Sequence, residues 1–506
     1  MYLLGYDIGS SSVKAALLDA DTGVCVASAS SPDDEMAIEA LHRGYAEQHP
    51  ELWWRHLVRA TAAVIEAGSV SPDEVRAVGI AYQMHGLVLV DKRGEVLRPA
   101  IIWCDSRAVS HGQEALESLG RDYCQRHLLN SPGNFTASKL AWVRAQEPDT
   151  FARAHKMLLP GDWVAMRMTG AMTTTVPGLS EGILWDFLDN EVSAPLLRHF
   201  ELDSELIPDV VPTFGRQGEL TAAAAAELGL EAGLPVSYRA GDQPNNALAL
   251  NVMEPGAIAA TAGTSGVVYG VSDVAQPDPC WRVNTFAHVN HEVSRPRLGV
   301  LLCINGTGIL NAWLRRHVCP AGTDYSAMNA AAEPLPVGSD GVAILPFGNG
   351  AERLLENRDL GCQVHGLNFN RHRTAHLLRA AQESVAFAFR YGLDVLRQTG
   401  IEPHVIRAGA GNLFASPIFR QALAGTTGAT IELFETDGAQ GAARGAGLGA
   451  GIYDSPAEAF AGLVASQLVE PDQRLRAAYA DAYDRWCRQL EGAIAHYDVE
   501  MQSECP

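Results

Sequence analysis

The sequence predicts two similar α/β domains that face each other across a cleft. The chain has 506 residues, and because single hydrophobic cores usually stop growing near roughly 250–300 residues, two domains are expected. Each half also opens in the same way, with an apolar run, a turn of small Gly, Ser and Thr residues, and a second apolar run. This internal repeat indicates two copies of one α/β unit.

The composition excludes several classes of protein. Acidic residues outnumber basic ones by 59 to 38, and no Lys/Arg cluster extends far enough to bind nucleic acid. The longest clearly apolar runs, such as 298–304, fall well short of the roughly 20 residues that a membrane helix needs. No secretory signal precedes the first apolar run, and the nine cysteines are scattered without a Cys-x-x-Cys pair. We therefore expect a reduced, cytoplasmic protein without nucleic-acid or membrane partners.

The first predicted element is a three-stranded meander. Apolar runs at 2–7, 13–18 and 24–27 have the length and composition of short strands. Small residues at 9–12 separate the first two runs, and the turn-forming cluster at 19–23 separates the second from the third. Strand, turn, strand, turn and strand therefore follow one another at the start of the chain.

A helix and two further strands are predicted next. The apolar residues of 50–67 recur with helical spacing, and Pro50 suits a first helical turn. Apolar runs at 78–81 and 87–90 predict strands on either side of a Gln-Met-His-Gly turn at 83–86.

The second half repeats the opening of the first. Strand-like runs at 256–260 and 267–271 flank an Ala-Gly-Thr-Ser-Gly turn at 262–266. Long helices are predicted further on, over 374–398 and 475–497, because their apolar residues keep the helical spacing.

The boundary between the two halves is predicted near residues 245–255. A Pro-Gly turn lies within 251–256, just before the second repeat begins. We therefore divide the chain into an N-terminal domain, 1–248, and a C-terminal domain, 249–506, which carries a helical tail.

Several phosphate- and metal-binding motifs are absent. A Walker A loop needs Lys followed by Ser or Thr, which occurs at none of the four lysines, and the His-Arg-Asp loop of protein kinases is also missing. The Gly-Ala-Gly-Leu-Gly-Ala run at 445–450 follows an Ala/Gly-rich segment rather than a strand, which favours close helix packing over dinucleotide binding. His288 and His291 lack further ligands nearby, so a zinc site is not expected.

Asp7 and the small-residue turn after it have two interpretations. A carboxylate beside hydroxyl and N–H donors can hold a metal-bound polyphosphate, because hard cations prefer oxygen ligands and turns form anion-binding nests. An ordinary hairpin with a capping Asp is the alternative. The similar Gly-Thr-Ser-Gly turn at 263–266 favours the first interpretation, since two such loops can hold a phosphate chain from both sides.

Asp242 and the turn at 83–86 are the other candidates for chemistry. Asp242 follows the strand-like segment 236–239, where a carboxylate can accept the proton of a substrate hydroxyl, although an Asp here also suits a helix N-cap. The Gln-Met-His turn allows either ligand contacts or a simple hairpin connection. By themselves, these residues indicate only a two-lobed protein that binds phosphate.

Taken together and in this order, the motifs resemble those of the FGGY carbohydrate kinases. The resemblance runs from residue 1 to about 451, and the helical tail also looks similar. It is carried by Asp-x-Gly at 7–9, Glu-Gln-His-Pro-Glu-Leu-Trp-Trp at 47–54, Gln-Met-His-Gly at 83–86, Arg-Pro-Ala-Ile-Ile-Trp at 98–103, Phe-Thr-Ala-Ser-Lys-Leu-Ala-Trp at 135–142, Gly-Asp at 241–242, Gly-Thr-Ser-Gly at 263–266 and Glu-Ser-Val-Ala-Phe-Ala at 383–388.

The resemblance implies a fold and an activity. It implies two ribonuclease-H-like domains of the actin, sugar-kinase and Hsp70 type on either side of a deep cleft. ATP and Mg²⁺ are the implied cofactors, and the implied reaction is phosphorylation of a sugar hydroxyl. The Met-His-Gly form at 84–86 is typical of the xylulose branch of the family, so conversion of D-xylulose to D-xylulose 5-phosphate is the first expectation.

The resemblance also assigns roles to single residues. Asp242 is implied as the general base, and Asp7 as an indirect organiser of the metal and phosphates. Contacts to the sugar are implied for Gln83, Met84, His85, Asp242 and Gln243. Contacts to the nucleotide and its phosphates are implied for Asp7, Gly9, Ser10, Ser11, Ser12, Lys14, Gly263, Thr264, Ser265, Gly308, Gly409, Gly411 and Asn412.

Two alternatives to this function stay open. Gln243 departs from the Asn that usually follows the catalytic Asp in the xylulose branch, so the sugar can instead be ribulose, sedoheptulose or a sugar acid. A non-catalytic, ATP-switched protein of the actin or chaperone type is the alternative from another class. The expected partners are a small sugar and ATP, and the resemblance allows a homodimer.

Overall fold

Two central sheets organise the chain, which the computed structural model describes over residues 1–504. The strands are, in chain order, β1 (Tyr2–Ile8), β2 (Val13–Asp19), β3 (Cys25–Ser31), β4 (Glu47–Gln48), β5 (Val75–Tyr82), β6 (Val88–Val90), β7 (Ala100–Ile101), β8 (Lys156–Leu158), β9 (Thr173–Thr174), β10 (Trp185–Asp186), β11 (Glu191–Val192), β12 (Asp209–Val210), β13 (Val236–Gly241), β14 (Ala257–Ala262), β15 (Gly266–Ser272), β16 (Asn284–Ala287), β17 (Leu298–Ile304), β18 (Ala343–Phe347), β19 (Gly361–His365), β20 (Val405–Gly409), β21 (Thr430–Phe434) and β22 (Gln467–Val469).

Helices connect these strands. They are α1 (Pro50–Gly68), α2 (Val109–Leu119), α3 (Arg121–Tyr123), α4 (Thr136–Gln146), α5 (Pro148–Phe151), α6 (Pro160–Thr169), α7 (Val176–Glu181), α8 (Ala194–His199), α9 (Ala222–Leu228), α10 (Asp242–Ala249), α11 (Gly308–His317), α12 (Tyr325–Ala332), α13 (Thr374–Gln398), α14 (Pro417–Thr427), α15 (Gly438–Gly449), α16 (Pro456–Ala459) and α17 (Arg476–Glu504). The predicted helices at 50–67 and 374–398 are confirmed, and the one predicted over 475–497 continues to Glu504.

The first sheet has the strand order β13-β5-β1-β2-β3. β1, β2 and β3 form an antiparallel meander, which confirms the prediction, and β5 and β13 extend the sheet beyond β1 as parallel strands. Asp7 lies opposite Ala81 of β5, and Gly241 of β13 lies opposite Tyr82. The carboxyl ends of β1, β5 and β13 therefore meet at one edge of the sheet, which is where ligands bind in open α/β sheets.

The second sheet repeats this plan. Its strand order is β16-β17-β15-β14-β20-β21-β22. β14 and β15 are antiparallel neighbours, and β20 and β21 continue on the other side of β14 as parallel strands. The prediction of two similar α/β units is thus confirmed, and the carboxyl ends of β14, β20 and β21 also share one edge.

Helix α15 belongs to the second half of the chain but packs against β1, β5 and β13 of the first sheet. The helix lies so close to Gly5 and Gly79 that no side chain fits at either position, because a Cβ atom there would overlap a carbonyl oxygen of the helix. The close-packing interpretation of the glycine-rich run at 445–450, which lies in and just after this helix, is confirmed. Because α15 crosses between the halves, the domain boundary at 248/249 stays a prediction.

Each sheet is covered by an apolar core of its own. Tyr6 of the first sheet packs with Trp53 and Leu57 of α1, all three fully buried. Val300 of the second sheet belongs to another core together with Phe389 of α13. The apolar face that helical spacing predicts for α1 is therefore the face that the fold buries.

No helix in residues 1–504 is long and apolar enough to cross a membrane. The eight cysteines within that range carry free thiols.

We predict that the close contact between β5 and α15 contributes to the free energy of unfolding. Gly79→Ala should lower the free energy of unfolding by about 1–3 kcal/mol, because its methyl group would overlap the Ala442 carbonyl, a backbone atom that cannot rotate away. Urea denaturation followed by circular dichroism measures the change.

Gly492→Ala is the matched control for this substitution. Gly492 lies in α17, and no atom lies within 4 Å of the position that a methyl group would take there. Alanine at this position should therefore leave stability unchanged or raise it by up to about 1 kcal/mol. Equal effects of the two substitutions would contradict the packing argument.

Candidate active site

The predicted sugar-site and base residues follow strands of the first sheet at its carboxyl edge. Asp7 is the penultimate residue of β1, Gln83 follows β5 directly, and Asp242 follows β13 directly. Because these three strands are parallel neighbours, the three residues lie at the same edge. Sequence spacing alone places them 76 and 159 residues apart, and the strand order is what brings them together.

Asp242 is the first residue of α10, whose N-cap is Gly241. Asp242 therefore does not occupy the N-cap position that the capping interpretation predicted, although its carboxyl group still interacts with the N–H groups of Gln243 at the start of the helix. The pKa of Asp242 is raised to about 7, first by burial and then by the charge of the neighbouring Asp7, while the N–H groups of Gln243 act in the opposite direction. A carboxyl group with such a pKa can accept a proton near neutral pH.

Asp7 is the second carboxyl group of this edge. Burial raises its pKa to about 6, Lys14 lowers it, and Asp437 raises it. Lys14 lies opposite Asp7 in the β1–β2 ladder but is exposed. The Asp7 carboxylate also lies at the start of α15, with Oδ2 only 2.5 Å from where a Cβ on Gly438 would lie. A glycine at this helix start therefore makes room for the carboxyl group.

The turn at 83–86 is not a hairpin. β5 pairs with β1 and β13, whereas β6 pairs with β8 in a separate sheet, so the hairpin interpretation is wrong. Gln83 is 2% exposed, yet neither its Oε1 nor its Nε2 has a hydrogen-bond partner in residues 1–504. Buried amides are almost always paired, so this side chain has the open hydrogen-bonding capacity of a ligand contact.

His85 is held in one tautomer. Its Nδ1 lies 2.9 Å from the main-chain oxygen of Glu181, which can only accept, so Nδ1 carries the proton and Nε2 is an acceptor. Burial lowers the pKa of His85 to about 3, and the ring is therefore neutral. The ring also contacts Phe135 and, from the second half of the chain, Phe286. Met84 beside it is buried.

The small-residue turn after β1 is a tight one. The Gly9 N–H donates to the Ser12 carbonyl at 3.0 Å, which leaves Ser10 and Ser12 half-buried and Ser11 exposed. The indole N–H of Trp103 donates to Ser10 Oγ at 3.3 Å.

The corresponding turn of the second sheet opens onto a cavity of about 570 Å³. Its walls include four of the predicted nucleotide residues, Gly263, Thr264, Gly308 and Asn412. Ser265 is exposed and, like Gly409 and Gly411, is not part of the wall. The size is in the range of about 300–1,000 Å³ that is typical of small-molecule sites.

Other residues of this cavity carry no sequence motif. Its polar wall is completed by Asn311, Arg316, Tyr325, Asn329 and Ser416. Asn311 Oδ1 is buried without a partner in the described part of the chain, which leaves it available to a ligand. These residues come from α11, α12 and the segment before α14, which no local pattern links.

Sequence reasoning also missed two carboxyl groups next to the predicted site. Asp437 caps α15 by accepting from Gln440 N–H at 3.0 Å, and the Thr-Asp-Gly turn after β21 was the signal that could have found it. Glu181 is 1% exposed at the end of α7 and interacts electrostatically with Asp242. No motif in its surroundings identifies Glu181.

The pair of histidines considered as zinc ligands is held by separate contacts. His288 Nδ1 lies 3.0 Å from the Tyr269 hydroxyl, and His291 Nδ1 lies 3.1 Å from the Arg297 carbonyl oxygen. The main-chain N–H of Arg297 also lies 3.3 Å from His291 Nδ1, so the two histidines have separate hydrogen-bond partners.

Comparison with known proteins assigns the chain to a family. Residues 2–249 match the model of the N-terminal domain of the FGGY family of carbohydrate kinases, and residues 258–452 match the model of its C-terminal domain. Together, the two models account for most of the chain.

Individual relatives agree with this assignment. The chain is 30% identical to the xylulose kinase of Escherichia coli strain K12 over 490 residues, which covers 95% of this chain and 96% of that protein. The crystal structure of a "xyloylose kinase" from Brucella ovis superposes with a TM-score of 0.87 at 28% identity and covers 98% of this chain and 100% of that one. The xylulose kinase structure from Rhodospirillum rubrum gives a TM-score of 0.86 at 25% identity, with the same coverage.

These matches agree with the structure. It has two similar α/β halves, a row of carboxyl groups at the edge of the first sheet, and a cavity on the second sheet whose volume suits a nucleotide. The protein is an ATP-using sugar kinase, and the chain belongs to the FGGY family of carbohydrate kinases.

Proposed function

We propose that this protein phosphorylates a ketopentose with ATP, with D-xylulose as the substrate and Asp242 as the general base. The relatives named above as xylulose kinases support the choice of sugar. The observation that carries the proposal is the position of Asp242, a carboxyl group with a pKa of about 7 at the same sheet edge as the unpartnered amide of Gln83.

The chemistry follows from the properties of these side chains. A sugar hydroxyl donates its proton to the Asp242 carboxylate as its oxygen forms a bond to the terminal phosphorus of ATP, and the bond from that phosphorus to ADP breaks. Gln83 and the Nε2 acceptor of His85 orient the sugar through its other hydroxyl groups. Holding the reacting atoms in line supplies much of the rate, because the protein forms no covalent bond with the phosphoryl group.

The residues on the second sheet suit a nucleotide. Gly263 and Gly308 bring backbone close to the cavity, and Asn311 offers an unpartnered acceptor. Asp7 has no basic partner within ion-pair distance in residues 1–504, so its carboxylate fits a hydrated Mg²⁺ held through water. A bound Mg²⁺ would neutralise charge on the phosphates.

Two alternatives to this proposal are a non-catalytic ATP-switched protein and a kinase for another sugar. Membership in a family of carbohydrate kinases favours an enzyme over an ATP-switched binding protein. Another sugar remains the second candidate because Gln243, whose side chain acts on Asp242, is longer than the usual Asn by one methylene. That difference changes the space beside the base, and so the fit of the sugar.

We predict that D-xylulose is phosphorylated with a higher kcat/KM than any other sugar in a panel. The panel comprises xylulose, ribulose, sedoheptulose, glycerol and a sugar acid, each assayed for ADP release with one enzyme preparation. A tenfold or larger preference, about 1.4 kcal/mol, for a sugar other than xylulose would replace the proposed substrate and leave the kinase assignment in place.

We predict that Asp242→Asn lowers kcat by about 10²–10⁴-fold while ATP still binds, because the amide cannot accept the proton. Isothermal titration measures ATP binding, and a coupled assay measures kcat. Folding of the variant is checked by its melting temperature at pH 8, which should not be below that of the wild type. Since burial favours the protonated form, the ionised Asp242 lowers stability above its pKa, and the Asn side chain removes that cost.

Asp481→Asn, an exposed substitution in α17, is the matched control and should leave kcat unchanged. Retention of most activity by Asp242→Asn would disprove the base assignment.

The pH dependence of kcat/KM should report the same carboxyl group. Because the base acts as a carboxylate, kcat/KM should rise with pH and level off above an apparent pKa of about 7. Asp7 titrates in the same range, so the measured value belongs to the coupled pair. A profile that is flat from pH 5 to pH 8 would contradict the proposal.

A further inference from the structure

We propose that Glu181 is a positioning residue of the sugar site, which holds the turn of His85 as an uncharged carboxylic acid and leaves Asp242 as the group that ionises. This inference rests on the proposed function, since it assigns Glu181 a role through His85 and Asp242. Glu181 belongs to no motif of the sequence and takes no part in the reaction described above.

The segment that carries Glu181 is fixed at both ends. α7 begins at a capped turn in which Thr175 Oγ1 accepts from Gly178 N–H at 3.1 Å. Near its end, Ser180 Oγ accepts from Ala287 N–H of β16 at 2.9 Å. The helix thus joins the sugar-site turn to a strand of the second sheet, and the place of Glu181 is set by contacts with both halves of the chain.

His85 has a backbone conformation that needs support. Its φ of 62° lies in the left-handed region, which is unfavourable for a residue other than glycine and persists only where the surrounding structure holds it. Three contacts do so. The His85 N–H points to Glu181 Oε1 at 3.4 Å, its ring Nδ1–H donates to the Glu181 main-chain oxygen at 2.9 Å, and Lys139 Nζ donates to the His85 carbonyl at 2.8 Å.

Glu181 has no basic partner. No Arg, Lys or His side chain in residues 1–504 lies within ion-pair distance of its carboxyl group, and the buried Arg239 is paired with Asp162 at 2.9 Å. Burial therefore raises the pKa of Glu181 well above its usual range, and the charge of Asp242 raises it further. The titratable groups that act on Glu181 or respond to its charge are Tyr82 of β5, His85 of the turn, Asp162 of α6, Asp242 of α10 and Tyr269 of β15.

Two carboxyl groups that interact electrostatically, as Glu181 and Asp242 do, ionise at different pH values, and their surroundings decide which one ionises first. Asp242 lies in the first turn of α10, where the helix dipole and the N–H groups of Gln243 stabilise a negative charge. Glu181 has a single, long N–H contact, and the Tyr82 hydroxyl lowers its pKa by less than burial raises it. Asp242 therefore ionises first, and the proton stays on Glu181.

The Glu181 side chain is packed tightly between the backbone before Asp242 and the turn of His85. A Cβ atom on Gly241, the residue before Asp242, would overlap Glu181 Oε2 and approach Met84 Cγ to 2.6 Å. Glu181 therefore packs directly beneath the backbone that leads to the base and beside the turn that carries His85. It acts on the sugar through these neighbours.

Two substitutions test the proposal. Glu181→Gln keeps the shape and an uncharged hydrogen-bonding group, so kcat and the KM for the sugar should stay within about threefold of the wild type, and the acid limb of the pH profile should not move. Glu181→Leu removes the contact to His85 N–H and should raise the KM for the sugar by about tenfold or more, with the KM for ATP unchanged. Glu114→Gln, at an exposed position of α2, is the matched control.

The opposite results overturn the proposal. If Glu181 were ionised in the wild type, replacing it with Gln would remove a negative charge and lower the pKa of Asp242. A shift of the acid limb by one unit or more in Glu181→Gln therefore contradicts the proposal. A wild-type KM for the sugar in Glu181→Leu, or an equal rise of both KM values, contradicts it as well. If Glu181→Leu does not fold, Glu181→Asp replaces it, since the shorter side chain cannot reach His85 and should raise the KM for the sugar.

The proposed function is judged separately in the same experiment. If the wild type phosphorylates no sugar of the panel, or if Asp242→Asn keeps its activity, the proposed function fails. If the wild type is active and Asp242→Asn is not, while both Glu181 variants equal the wild type, only the role of Glu181 fails.

Discussion

The fold depends on one close contact, the packing of α15 against the glycines of β1 and β5. Gly5 and Gly79 let the helix backbone approach the sheet to a distance that any side chain would prevent. The helix follows β21 of the second sheet, so the same contact brings the carboxyl edges of the two sheets together. Its first residue, Gly438, then lies against the Asp7 carboxyl group. The packing of α15 on the first sheet therefore also determines the surroundings of the Asp7 carboxyl group.

Burial of carboxyl groups that form no ion pair within residues 1–504 is the second constraint, and it connects structure to chemistry. Asp7, Asp242 and Glu181 all have raised pKa values with burial as the first cause. A buried carboxylate lowers the stability of the folded state, and the same cost makes Asp242 able to accept a proton near neutral pH. Under the proposed function, this edge of the sheet gives up stability for reactivity, as is common among enzymes.

The strained turn at His85 shows how the two halves of the chain cooperate. Lys139 holds its carbonyl from α4, Glu181 holds its N–H and ring from α7, and Phe286 of the second sheet contacts the ring. The tautomer of His85, and with it the acceptor offered at Nε2, is fixed by these tertiary contacts. Family membership explains the fold and the reaction class, whereas the conformation of this turn is set by contacts particular to the folded chain.

The sequence by itself determined the two-unit α/β plan, the meander of the first half, the strand-turn-strand opening of the second half and the long helices, because these depend on local periodicity and on Gly and Ser turns. It also identified Asp7, Gln83 and Asp242, since each directly ends or follows an apolar run. It could not identify Glu181, nor the polar wall formed by Asn311 and its neighbours, because no short-range pattern marks residues that meet only through chain folding. The capping interpretation of Asp242 and the hairpin interpretation of the turn at 83–86 were wrong for the same reason. Strand order and the crossing of α15 decide which side chains meet, and both are properties of the tertiary structure, in which contacts between residues far apart in the chain outweigh local preference.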